Sequence, residues 1–238
     1  MTLATDHGFI LRVRPYRETS VMVHWFTLQY GRITTAARAA RNPKSPLLGK
    51  IDLCIEADFS FHKSTRSDVH TLAEVQVTDF HPLLRRDIAS ITLLAHVVGC
   101  LEQVTETESP LPELYEVYRG FIGFLERHGP RPRALFAWEL QFLSLQGLDP
   151  TRFPNTFDPA ARSLLLSLLN EDWETLSRVE FDSKAVRDLG NFLSEFWTQQ
   201  FGRLPKTRAP AFKAADEATR ARRNLALDFV ATTKEPLG

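Results

Sequence analysis

The chain has 238 residues with 29 basic and 29 acidic side chains, and a hydrophobic content of 43%, values ordinary for a folded protein of one large domain or two small ones. Its two cysteines, Cys54 and Cys100, lie far apart with no C-x-x-C, which excludes a disulfide framework or a cysteine-rich metal site and fits a reducing cytosol. No apolar run approaches the roughly 18–20 residues of a membrane span and the N-terminus has no signal-peptide pattern, so a cytoplasmic protein is expected.

The first eighty residues read as β-strands. "GFILRVRPY" (8–16) and "SVMVHWFTLQYG" (20–31) are rich in β-branched and aromatic residues and are split by the polar turn "RETS". In the second strand both alternating sets are mostly apolar, which predicts a central position. "GRITTAARAAR" follows a tight turn at Gly31 and puts Arg32, Thr34, Ala36 and Arg38 on one side. "KIDLCIEADFSFHK" (50–63) and "SDVHTLAEVQVTDF" (67–80) complete a set of five, joined by the turn "STRSD". Five short antiparallel strands in about 80 residues suit a barrel of the OB type, with an SH3-like barrel as the rival that periodicity does not separate from it.

From Pro82 the period changes to that of helices. Ile88, Ile91, Leu94, Ala95, Val98 and Leu101 mark the buried face of a long helix over 83–106. Further helices are predicted within 109–129, over 131–147, and in "PAARSLLLSLL", "DWETLSRV" and "DSKAVRDLGNFLSEFWTQQFG", with "LDPTRFPNTFDP" as a proline-rich loop. The expected architecture is therefore α+β: a five-stranded OB-fold β-barrel over 1–81, an all-α helical domain over 82–207, and a basic C-terminal tail over 208–238. The tail has little hydrophobic period and is expected to fray beyond about Arg208.

The neutral total hides an uneven layout. Residues 1–50 carry eight bases (Arg12, Arg14, Arg17, Arg32, Arg38, Arg41, Lys44, Lys50) against Asp6 and Glu18. Residues 51–80 hold six acids and two bases, and residues 203–223 hold seven bases and two acids. Such zones in a neutral protein point to an anionic partner at one face. No G-x-S-x-G, H-E-x-x-H or phosphate-binding glycine loop is present, so no enzyme site is expected. His24, His62, His70 and His96 occur singly and read as partly buried structural residues.

A small barrel binds nucleic acid with a cationic groove along the phosphates and aromatic platforms under the bases. Arg14, Arg17, Arg32, Arg38, Arg41, Lys44 and Lys50 are the expected DNA contacts, with Tyr16 and Tyr30 as candidate stacking rings and at least one of Trp25 and Phe26 in the core. In "ARNPKSPLLG", Pro43 and Pro46 fix an irregular loop, while Leu47 and Leu48 are expected to tether it to the barrel so that Arg41 and Lys44 point outward. A second basic patch is expected at Arg203, Lys206 and Arg208.

"RPYRETS", an apolar strand ending in "FT", "GR" and the basic loop through "KSPLLG" together resemble the N-terminal region of the RecO family of bacterial recombination mediators. "LAEVQVTDF" resembles that family's fifth strand, and "FGRLPKTR" its short basic segment late in the chain. The resemblance implies an OB-fold and a helical domain acting in DNA repair and recombination at the nucleoid. It implies binding of single- and double-stranded DNA, annealing of complementary strands, and assistance to recombinase loading together with RecR. Single-strand-binding protein, through its acidic C-terminal peptide, and indirectly RecA are the further partners implied, with no catalysis and no cofactor. For that peptide Arg127, Arg131 and Arg133 beside Phe136 offer a greasy pocket with a basic rim.

Two departures from the family pattern stand out. Many relatives carry a four-cysteine zinc module after the helix that here ends "LSLQGLDP", whereas this chain has "TRFPNTFDPAARS" and no cysteine there, so no metal is expected. Where the family commonly has Lys-Gly, this chain has Arg38-Ala39. The alternative reading is an RNA-binding or ribosome-associated OB module with a helical interaction domain, and a third is an enzyme whose site is assembled from distant residues.

Overall fold

The computed structural model describes residues 2–152, 158–178 and 182–232, with the side chains of 226–232 excepted. Residues 153–157 of the sequence-predicted loop "LDPTRFPNTFDP" and the last six residues of the expected tail lie outside this range. The chain divides into two compact units. The first is Met1–Arg86 with Cys100–Glu116, and the second is Asp87–Gly99 with Val117–Gly238.

Five strands build the first unit: β1 (Thr2–Pro15), β2 (Val21–Thr27), β3 (Gly31–Ala37), β4 (Glu56–Lys63) and β5 (Val69–Asp79). They close into a barrel in the order β1-β2-β3-β5-β4, with β3 and β5 parallel and every other pair antiparallel. This is the OB arrangement, and it decides between the two barrels that periodicity left open. Closure depends on β1, which starts six residues earlier than the apolar pattern alone suggests. Its first half, Thr2–Phe9, pairs with β4 and its second half, Gly8–Pro15, pairs with β2. Gly8 belongs to both registers, and a Cβ there would lie 2.7 Å from the Phe26 carbonyl oxygen, so the strand crosses where only glycine fits.

Alternation sorts the side chains. Val23, Trp25 and Ile33 turn into a core with Ile10, Ile55, Phe59, Phe61 and Leu72, while Met22, His24, Arg32 and Thr34 take the other face of the sheet. Trp25 stacks on Phe59 with ring centroids 4.0 Å apart, and its indole N–H donates to Thr35 Oγ1 at 2.9 Å, satisfying the one polar atom the ring brings into the core. Phe26 is also fully buried, in tilted contact with Tyr115. Cys54 is buried and its thiol is pushed up to about 12 by desolvation, so it is an inert packing residue.

The helical segment 100–116 completes this unit on the β3 side. Glu108 N–H donates to the Arg32 carbonyl at 2.9 Å, and the Arg32 guanidinium reaches the Thr105 hydroxyl at 2.7 Å and the Thr105 carbonyl. Gly31 makes this approach possible. Its φ is +67°, and a Cβ would sit 2.0 Å from the Ser109 carbonyl oxygen. Gly31→Ala is therefore expected to dislodge the segment and to destabilise the protein by about 3 kcal/mol. Differential scanning calorimetry measures the loss, and an unchanged melting temperature would show that the segment does not need this contact.

The predicted long helix over 83–106 is broken. Helix α1 (Pro82–Arg86) ends before Asp87, whose carboxylate accepts from the Ala89 and Ser90 N–H groups and so starts α2 (Ile88–Val104) as an N-cap. Ile88, expected in the core, is 80% exposed because it stands in that first turn, while Leu94, Val98 and Leu101 are buried as the spacing predicts. The helices that follow are α3 (Pro112–His128), α4 (Pro132–Leu145), α5 (Pro159–Asn170), α6 (Trp173–Leu176), α7 (Ser183–Phe201) and α8 (Arg208–Thr232). Helices α2 and α3 each pass from one unit into the other.

In the second unit α4 is the central helix, buried on all sides from Ala134 through Leu140. Trp138 packs against Tyr118, Phe121 and Phe142. Asp158, Asp172 and Asp182 cap α5, α6 and α7, and Gly202 ends α7 in the left-handed conformation. Fraying beyond Arg208 does not occur within the described residues. A helix begins there, because Ala211 and Ala215 form a small, fully buried stripe and Phe212 lies on Phe136 with centroids 4.6 Å apart. Small residues give a weak hydrophobic period yet allow close helix packing, which is why the sequence pattern understates this element.

Candidate nucleic-acid interface

The two basic stretches that are separate in sequence meet at one end of the barrel. Tyr16 N–H donates to the Ser20 carbonyl, closing the β1–β2 turn. Arg41 N–H then donates to the Thr19 carbonyl at 2.9 Å and Ala39 N–H to Ser20 Oγ at 3.3 Å, fastening the start of the β3–β4 loop against that turn. Arg14, Arg17, Arg38, Arg41 and Lys44 are all exposed around this junction. None of the five makes an ion pair with another described residue. Three acids of the next stretch are engaged elsewhere, Asp52 by Arg85 and Glu56 and Asp58 by His7.

Within the loop, Lys44 N–H donates to Asn42 Oδ1 at 3.0 Å, an Asx turn that directs the chain between Pro43 and Pro46. Leu47 is buried in the barrel core and anchors the loop, whereas Leu48, the second expected tether, is 55% exposed. Tyr16 is 45% exposed and carries the Arg17 guanidinium over its ring at 5.3 Å, so one open aromatic surface stands inside the cationic cluster.

Ala39 sits at φ +51°, where a β-carbon is strained. The substitution Ala39→Gly is expected to stabilise the protein by about 1 kcal/mol, because glycine adopts this conformation freely. A melting temperature about 2–4 °C higher checks it, and a lower one would mean that loop order depends on the alanine.

Three expected members do not join the cluster. Arg32 is half-buried and committed to Thr105, since the C-terminal end of α2 leaves carbonyls that attract a cation. Lys50 is half-buried and lines a cleft of about 800 Å³ together with Asp6, Asp58 and Glu74 on the barrel wall, a local environment of opposite charge. Tyr30 is not an open platform. Unlike Tyr16 it is half-buried and packs against the barrel core, where Phe61 meets it edge-on at 5.4 Å.

In the same cleft the His7 imidazole bonds Glu56 through Nε2 and Asp58 through Nδ1, both at 2.8 Å. Burial works against the imidazolium, but these two carboxylates outweigh it and raise the His7 pKa. Its contribution to stability is thus present at low pH and fades as pH rises through the raised pKa.

The expected peptide pocket in the helical unit is corrected by packing. Phe136 is 5% exposed and covered by Phe212, so it cannot wall an open groove. Arg133 donates to the Leu176 and Ser177 carbonyls and Arg131 to the His128 carbonyl, satisfying loose backbone oxygens at helix ends. Arg127 is exposed, 3.9 Å from Glu174. The second basic patch shrinks in the same way. Arg203 and Lys206 are exposed, but Arg208 is buried, with Nε and Nη2 on the two oxygens of Glu139 at 2.7 and 3.0 Å.

Among the described residues no helix is long and apolar enough to cross a membrane. Residues 1–81 match the family model described as "Recombination protein O N terminal". The chain is similar to proteins named DNA repair protein RecO. It is 24% identical over 143 residues to that of Syntrophus aciditrophicus, covering 60% of this chain and 55% of the relative. It is 27% identical over 149 residues to that of Alkaliphilus metalliredigens, covering 62% and 60%. With that of Listeria monocytogenes it shares 28% identity over 145 residues, covering 60% and 56%. The chain thus spans about 55–60% of the length of these curated relatives.

Proposed function

We propose that the chain, whose first 81 residues match the RecO N-terminal family model, is a DNA-binding mediator of repair by recombination, with no bond made or broken by the protein itself. The observation that carries this reading is the meeting of the β1–β2 turn with the β3–β4 loop, which sets five unpaired cations around one open tyrosine. Arg14, Arg17, Arg38, Arg41 and Lys44 contact phosphates and release counterions, so binding is insensitive to sequence and steeply dependent on salt. Both single and double strands present that backbone, and both are bound. Annealing follows from the same contacts. Neutralised strands repel one another less, while bases that the protein does not enclose remain free to pair.

The partners in this reading are DNA, RecR and single-strand-binding protein, with RecA assisted indirectly. The test is strand annealing and salt-dependent DNA binding by the wild type and by a variant with Arg38, Arg41 and Lys44 all changed to alanine. Equal activity in both would remove the loop from the site. Tight binding to structured RNA with no annealing of DNA would favour the RNA-binding alternative.

A further inference from the structure

His24 has a setting unlike that of an ordinary structural histidine. It lies in the middle of the outer row of the β1–β2–β3 sheet, directly between Arg12 on β1 and Thr34 on β3. Arg14 and Arg32 stand one pair further along on the two neighbouring strands, the diagonal positions of the same face. The charged groups acting on it are Arg14, Arg12 and Arg32, with Glu102 as the one acid. Glu102 is held by Arg12 in a two-bond pair at 2.6 and 3.0 Å, and Arg32 is held by Thr105, so Arg14 is left without a counter-charge. The His24 ring is half-buried, its Nδ1 3.2 Å from the Thr34 hydroxyl, and no described group bonds its Nε2.

We propose that His24, with Arg14 beside it, forms a proton-dependent phosphate site that carries the DNA track from the barrel end across the face of β2, an inference that rests on the DNA-binding reading. As imidazolium, Nδ1–H donates to Thr34 Oγ1 and Nε2–H is free to donate to a phosphate oxygen. Without the anion the protonated form is disfavoured. Burial lowers the His24 pKa, and Arg14, Arg12 and Arg32 lower it further against the pull of Glu102. A bound phosphate reverses that balance, so binding takes up a proton whenever the pH lies above the pKa of the free site. The sign follows from linkage: affinity rises as the pH falls, and the slope flattens once the free histidine is itself protonated.

The experiment is fluorescence anisotropy of a single-stranded oligonucleotide with the full chain from pH 5 to 8 at fixed ionic strength. Wild type is expected to tighten about tenfold more between pH 7.5 and 5.5 than His24→Gln, one unit of pH-linked binding. His24→Arg, with a fixed charge, is expected to bind at pH 7.5 as tightly as wild type does at low pH, without that slope. Both variants keep Glu102, so a slope arising from that carboxylate would survive in them, and His7→Gln controls for the barrel histidine whose pKa is raised. A wild-type slope retained in His24→Gln overturns the proposal. Inorganic phosphate separates the two readings. A shift of the His24 ring resonances with phosphate but no oligonucleotide binding would sink the DNA function and leave the anion site. Oligonucleotide binding with no phosphate shift and no His24-dependent slope would sink the site alone.

Discussion

Arg208→Met is expected to destabilise the helical unit by about 3–5 kcal/mol, the cost of leaving a buried carboxylate without its partner. Glu139 stands on the fully enclosed helix α4, with no solvent exposure at all. Burial by itself would raise its pKa, but Arg208 and then His96 outweigh that effect and hold the group ionised. Arg208 grips both carboxylate oxygens, His96 Nε2 is 3.0 Å from one of them, and Arg208 Nη1 also donates to Ser194 Oγ at 2.9 Å. The arginine lies in addition over the Phe212 ring at 4.7 Å, so the start of α8, α4 and α7 are joined at one point. Methionine keeps most of the stem volume and removes the charge. Chemical denaturation reads the loss, and the double variant Arg208→Met with Glu139→Leu is expected to regain much of it, because a well-packed apolar pair need not be worse than an ion pair. A single-variant loss below about 1 kcal/mol would show that water reaches Glu139.

The same residue explains where sequence reading succeeds and where it stops. Period-two alternation in 20–31 and the turn at Gly31 identify the barrel strands and even the outward set Arg32 and Thr34, because pleating forces neighbours to opposite faces. Alternation cannot tell an exposed arginine from one seated on a distant carbonyl. Arg32 and Arg208 look like Arg38 in the sequence, and only the return of residues 105 and 139 to their sides separates them. The signal that would have marked Arg208 is Glu139 itself, the one charged residue in the largely apolar run "ALFAWELQFL", which demands a buried cation from somewhere. Phe136 fails for a related reason. Helix spacing says that it faces inward, yet nothing in the run names Phe212 as its cover. His24 is the converse case, a lone histidine whose neighbours on two other strands give it a chemistry its own strand does not show.

At the barrel end the structure leaves a sharper expectation than the sequence does, since Arg32 and Lys50 drop out and five cations remain. Changing Arg38, Arg41 and Lys44 to alanine removes three of them and leaves Arg14 and Arg17 beside Tyr16. For single-stranded DNA each phosphate contact contributes roughly 0.7 to the slope of log affinity against log salt. The variant's slope is therefore expected to be shallower by about two, and its affinity about a hundredfold weaker near 0.1 M salt. Removing exposed, unpaired charges from a loop whose anchor is Leu47 should leave the melting temperature within a few degrees of wild type, so the loss can be assigned to the interface. Arg32→Gln supplies the opposite pattern. It is expected to lower stability through the lost Thr105 contacts while changing the salt slope little, because that guanidinium already serves the end of α2. If instead Arg32→Gln flattened the salt dependence and the triple variant did not, the polyanion would lie along the sheet face and the loop would be a bystander.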